Sequence, residues 1–149
     1  MKILVLHGPN LNLFGRREPH IYGTTTLAEI NKRLQALAKE LKAQLAVIQS
    51  NHEGELVDFF HKNMDSAVGA LINPGGLTQH GVSLHDCIKA MPFPVLEVHM
   101  SNIAAREVWR HHSIISSAVK GTVQGLGWRS YTAALRALVE IAGEAKKKA

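Results

Sequence analysis

Residues 1–23 read MKILVLHGPNLNLFGRREPHIYG, and this stretch decides how the rest of the chain must fold. Ile3-Leu4-Val5-Leu6 is an unbroken apolar run closed by the turn His7-Gly8-Pro9-Asn10. A short run without polar alternation fits a strand buried on both faces, as in a parallel sheet. The thirteen residues Leu11 to Gly23 then match neither a helical nor a strand period. A loop of about that length in a compact domain is usually a functional lid or a linker. Leu11, Leu13, Phe14, Ile21 and Tyr22 make it too apolar for a linker. It reads as an active-site lid carrying Arg16, Arg17, Glu18 and Tyr22.

Downstream, four more apolar runs repeat the first: Leu45–Gln49, Val68–Ile72, Pro94–Val98 and Val119–Val123. Helical periodicity falls between them. Leu27, Ile30, Leu34, Leu37 and Leu41 recur at threes and fours, with Thr26 and Glu29 at capping-box spacing. Further helices are expected over Glu53–Asn63, Val82–Ala90, Ala104–His111 and Tyr131–Gly143. Five strands alternating with helices predict a single α/β domain over residues 1–145, followed by a basic tail at 146–149. At this size the expected architecture is a flavodoxin-like three-layer sandwich, its parallel sheet ordered 2-1-3-4-5.

That order brings together the loops leaving strands 1, 3 and 4, where such sheets bind ligands. Those loops hold His7-Gly8-Pro9-Asn10, Asn73-Pro74-Gly75-Gly76 and His99-Met100-Ser101-Asn102. The polar residues thus concentrate where the topology places a site.

Composition narrows the partners. The formal charge is +5, but Lys146, Lys147 and Lys148 carry three of those charges. Few aromatics stand among the basic residues, so no nucleic-acid stacking platform is expected. The single cysteine, Cys87, fits a reducing compartment and reads as a buried core residue. No apolar run resembles a signal peptide or a membrane span, so no membrane association and a cytoplasmic location are expected.

The loops also exclude several chemistries. Carboxylates are scarce at the strand ends, which disfavours a magnesium phosphoacceptor site. A flavin phosphate cradle, a dinucleotide fingerprint and a P-loop are all missing. His111-His112 lacks zinc-ligand spacing, and the three loops contain no lysine for a Schiff base. An acid–base site without a metal remains. His99 suits a general acid near neutral pH, or is a structural histidine at a strand end. Tyr22 either packs in the lid or acts as base, its phenolate stabilised by a nearby guanidinium such as Arg17. Asn10 and Asn73 either donate to a developing oxyanion or shape their turns. Backbone N–H groups near Met100-Ser101, with Arg110 beyond, offer an anion site. Together these groups suit a small polyhydroxylated carboxylate that loses a proton beside a carbonyl and then water.

Read together, GPNLNLFGRREPHIYG, INPGGLT and EVHMSNIAAREVWRHHS resemble the type II 3-dehydroquinate dehydratases. The resemblance implies reversible dehydration of 3-dehydroquinate to 3-dehydroshikimate in the shikimate pathway, without cofactor or metal. It makes Tyr22 the base at C2, and Arg17 the group that keeps Tyr22 ionised and the lid closed. Asn10 would position a water on the enolate, and His99, oriented by Glu97, would protonate the departing hydroxyl. Asn73, the Met100-Ser101 backbone and Arg110 would bind substrate hydroxyls and carboxylate. Asp86 would reach the site of a neighbouring subunit, since the family assembles as trimers within a dodecamer. One position departs from the family pattern, where histidine usually follows the threonine of the INPGGLT loop. Here Thr78 is followed by Gln79 and only then by His80, so Gln79 keeps one hydrogen bond to substrate or a shifted loop brings in His80. His111 also stands where a second arginine is common. Two other classes compete with the enzyme: a flavodoxin-like module binding a small anionic metabolite, and a nucleic-acid binder resting on the lysine run.

Overall fold

A computed structural model describes residues 1–148. The strands are β1 (Lys2–His7), β2 (Gln44–Gln49), β3 (Gly69–Asn73), β4 (Val95–His99) and β5 (Gly121–Gln124). They form one parallel sheet in the expected order, β2-β1-β3-β4-β5. The α-helices are a single turn α1 (Pro19–Tyr22), then α2 (Leu27–Glu40), α3 (Glu53–Asn63), α4 (Val82–Ala90) and α5 (Arg129–Lys148). Among the described residues no helix is long and apolar enough to cross a membrane.

The apolar run of β1 shows why the domain has three layers. Successive strand side chains point to opposite faces. Ile3 and Val5 therefore join one core, with Ile30 and Leu34 of α2 and Leu135 and Leu138 of α5. Leu4 and Leu6 join the other, with Leu56 and Phe60 of α3 and Leu84 and Ile88 of α4. The expected capping box starts α2: Thr26 Oγ1 accepts from the Glu29 N–H, and Glu29 accepts from the Thr26 N–H. Such a cap stabilises the helix by about 1 kcal/mol.

Three strands extend further than their apolar runs. His7, Asn73 and His99, expected in loops, are the last residues of β1, β3 and β4. Ladder pairing holds them there, His7 opposite Asn73 and His99 opposite Gln124. The loops that follow interlock. The Gly8 N–H donates to the Asn73 carbonyl at 2.8 Å, and a Cβ at Gly8 would lie 2.4 Å from the Pro74 oxygen. Only glycine allows that approach.

Two expectations need correction. The segment expected as a helix over Ala104–His111 is a pair of 3₁₀ turns, Ile103–Ala105 and Val108–Arg110, broken by extended backbone at Arg106. Its apolar side chains have no sheet face to cover, and Val108 and Trp109 remain exposed. Helical stability in proteins comes mainly from packing an apolar face, and this segment has none. The last helix, expected over Tyr131–Gly143, is longer at both ends. α5 starts at Arg129 and continues past Gly143 through Lys148, while Ala149 lies outside the described residues.

Candidate active site

A cleft opens where the ends of β1, β3 and β4 converge. The lid segment contributes Arg17 and Tyr22, the end of β3 contributes Asn73, and the β3–α4 loop contributes Thr78 and Gln79. The end of β4 contributes His99, and the chain after it contributes Met100, Ser101, Arg106 and Arg110. The lid is folded rather than loose. It contains a 3₁₀ turn at Leu11–Leu13 and the turn α1, entered through a left-handed Glu18 (φ 37°). Leu11 and Phe14 are buried, and the Tyr22 ring lies 5.6 Å from that of Phe14.

Two charged assemblies face the cleft. On the lid side, Arg106 donates from Nη1 to the Tyr22 phenolic oxygen at 2.9 Å and to Ser101 Oγ at 3.2 Å. Arg17 lies beside the same ring, with its guanidinium carbon 5.4 Å from the centroid, and pairs with Glu18 at 3.4 Å. On the fixed side, His99 Nε2 donates to Glu97 Oε1 at 2.6 Å. Glu97 is wholly buried and also accepts from Ser113 Oγ at 2.8 Å and Ser116 Oγ at 2.6 Å. Burial opposes its charge, but the His99 and serine donors outweigh that and hold the carboxyl below its ordinary range. An ionised Glu97 requires the proton on His99 Nε2 and leaves Nδ1 as the ring's second nitrogen for chemistry.

Residues 1–139 match the family described as Dehydroquinase class II. The chain belongs to that family. A 3-dehydroquinate dehydratase of Halothermothrix orenii is 50% identical over 140 residues, covering 94% of this chain and 95% of the relative. One of Nostoc sp. is 52% identical over 139 residues, with 93% and 95% covered. The crystal structure of type II dehydroquinase from Propionibacterium acnes superposes with a TM-score of 0.90 at 42% identity, covering 93% of this chain and 96% of that one. That of Butyrivibrio crossotus gives 0.90 at 34%, with 93% and 97% covered.

In this class II dehydroquinase the cleft gathers Arg17, Tyr22, Asn73, Gln79, His99, Met100, Ser101 and Arg110 from the candidates named above. Gln79, not His80, lines it. Gln79 Nε2 donates to the Arg110 carbonyl at 3.2 Å, while its Oε1 is buried without a partner among the described residues. Arg110 lies over Trp109 and bonds Glu107 Oε2 at 2.9 Å. Two candidates stand apart. Asn10 is exposed in a left-handed turn (φ 68°), its N–H donated to Asn51 Oδ1 at 3.0 Å. Asp86 points away on α4, exposed and bonded to His85. Cys87 is buried, and burial pushes its thiol up to about 11. Among the described residues no three His, Cys, Asp or Glu side chains gather as metal ligands.

Sequence reasoning missed Arg106, Ser113 and Ser116. Arg106 sits four residues before Arg110, a spacing that would have paired them on one face of the expected helix. The serines carry no comparable signal, because only the folded path of residues 113–116 brings them to Glu97.

Proposed function

We propose that this dehydroquinase eliminates water from 3-dehydroquinate to give 3-dehydroshikimate, reversibly and through an enolate, in the shikimate pathway. Tyr22 takes the C2 proton as phenolate, and the C–H electron pair becomes the enolate. The enolate then expels the C1 hydroxyl, which receives a proton from His99 Nδ1 and leaves as water. Atoms balance without a redox partner, metal or cofactor.

The observation that carries this reading is the pairing of a phenol–guanidinium contact with a histidine–carboxylate contact on one cleft. Arg106 puts positive charge at the phenolic oxygen, where a phenolate would need it, and Arg17 adds a second charge beside the ring. Glu97 fixes the orientation of the His99 ring through Nε2 and leaves Nδ1 for the substrate. Asn73, Gln79, the Met100-Ser101 backbone and Arg110 bind substrate hydroxyls and carboxylate. Asn10, in the turn after β1, positions a water at the enolate.

The working enzyme is a cytoplasmic homo-oligomer, a dodecamer of trimers, in which Asp86 reaches a neighbouring protomer's substrate. Val82, Val108 and Trp109 are exposed apolar side chains of the kind that a neighbouring protomer would cover. Its partners are the small-molecule substrate and copies of itself, not nucleic acid or membrane.

Dehydration creates a conjugated enone. Adding 3-dehydroquinate to the folded protein at neutral pH should raise ultraviolet absorbance continuously. A flat trace from folded, correctly assembled protein would remove the proposal.

A further inference from the structure

We propose that Tyr131, backed by His7 and Asn31, is a positioning residue that fixes which way the Asn73 carboxamide faces. The proposal rests on the reading that Asn73 meets the substrate. Four side chains form one chain of hydrogen bonds across two strand ends and two helices. Asn73 Nδ2 meets Tyr131 Oη at 3.0 Å, Tyr131 Oη meets His7 Nδ1 at 3.2 Å, and His7 Nε2 meets Asn31 Oδ1 at 2.8 Å. His7, Asn73 and Tyr131 are buried, and Asn31 on α2 is half-buried.

The polarity of the chain is set from one end. The Gly75 N–H donates to Asn73 Oδ1 at 3.2 Å, so the amide oxygen must face Gly75 and the amide nitrogen must face Tyr131. The Tyr131 oxygen then accepts from Asn73, and its own hydrogen goes to His7 Nδ1. His7 must carry its proton on Nε2 and donate it to Asn31 Oδ1. Reversing the His7 tautomer would leave the buried Tyr131 hydroxyl hydrogen without an acceptor, at the desolvation penalty of an unmade bond. Both titratable members are held neutral, as this scheme needs. Burial lowers His7 to about 4 and pushes the Tyr131 phenol up. An acceptor on α2, the helix that follows the lid, thereby holds a group in the cleft.

Two measurements on the full-length protein test this. Ring-nitrogen NMR of His7 should show a bare Nδ1 and a protonated Nε2 from about pH 6 to about pH 8. Steady-state kinetics should show Tyr131→Phe raising KM for 3-dehydroquinate roughly tenfold, and Asn31→Ala roughly fivefold, with kcat within about twofold. Asn31→Asp keeps the acceptor and should restore the parental KM. A merely structural role would lower stability without moving KM. If Tyr131→Phe fails to fold, the half-buried Asn31 pair decides. An Nδ1–H tautomer would overturn the relay, and so would folded Asn31→Ala with a parental KM. A parent inactive on 3-dehydroquinate would sink the functional reading instead, and the His7 tautomer would still report on the relay.

Discussion

Arg106 Nη1 donates to the phenolic oxygen of Tyr22 over 2.9 Å, joining the chain after β4 to the lid. Arg17, nearer in sequence, lies against the ring instead, 5.4 Å from its centroid. The two arginines should therefore differ as variants. A charge-assisted hydrogen bond is worth about 1.5–3 kcal/mol, so Arg106→Gln should lower kcat roughly 10- to 150-fold. Arg17→Gln should lower it less and raise KM through a looser lid. Steady-state kinetics of both variants make the comparison, and a larger kcat loss for Arg17→Gln would return the counter-charge to the lid.

Glu97 gives a stability prediction. Its folded carboxyl lies below the ordinary carboxylate range, so its contribution is present above that range and lost as pH falls through the folded value. Ser116→Ala removes one donor, at 2.6 Å, from a buried carboxylate. It should cost about 1.5–3 kcal/mol at neutral pH and move the acid loss upward in pH. Urea unfolding at several pH values checks both, and kcat should fall with it because His99 loses a firmly placed partner.

His7 gives a second pH effect, in the same direction. The unfolded chain protonates this histidine near 6.5, but the folded protein does so only near 4. Between those values the unfolded state binds more protons, so stability falls as pH is lowered, by about 3 kcal/mol in all. His7→Asn should be less stable at neutral pH but lose less between about pH 6.5 and about pH 4. An unchanged slope would show that His7 is not the buried neutral group described.

Much of the fold was legible because its signals were local. Apolar runs such as Ile3–Leu6 mark strands covered on both sides, and Thr26 with Glu29 marks a helix start. The ends of β1, β3 and β4 were read one residue short, because His7, Asn73 and His99 are polar and held by ladder pairing. The helix expected at Ala104–His111 failed for want of a surface to pack on. Within the site, the residues of the three motifs were visible in sequence order. Arg106, Ser113, Ser116 and Tyr131 were not, since each acts on a partner brought near only by folding.

Gln79 separates binding from stability. Its Oε1 is buried without a partner among the described residues, and on the proposed reading a substrate hydroxyl would supply the missing hydrogen bond. Gln79→Leu should leave stability within about 1 kcal/mol of the parent. It should raise KM roughly 5- to 30-fold with little change in kcat, the pattern of lost uniform binding. Thermal unfolding and steady-state kinetics on the same preparation check the two halves.

In the proposed mechanism Tyr22 is the base. The most direct measurement follows 3-dehydroquinate with Tyr22→Phe, pairing the absorbance assay with calorimetric binding. The Phe14 contact and the lid fold do not need the hydroxyl, so substrate should still bind within a few-fold of the parent affinity. Turnover should fall by about 10²–10⁴, the usual contribution of a general base. Turnover above about a tenth of the parental rate would contradict the account.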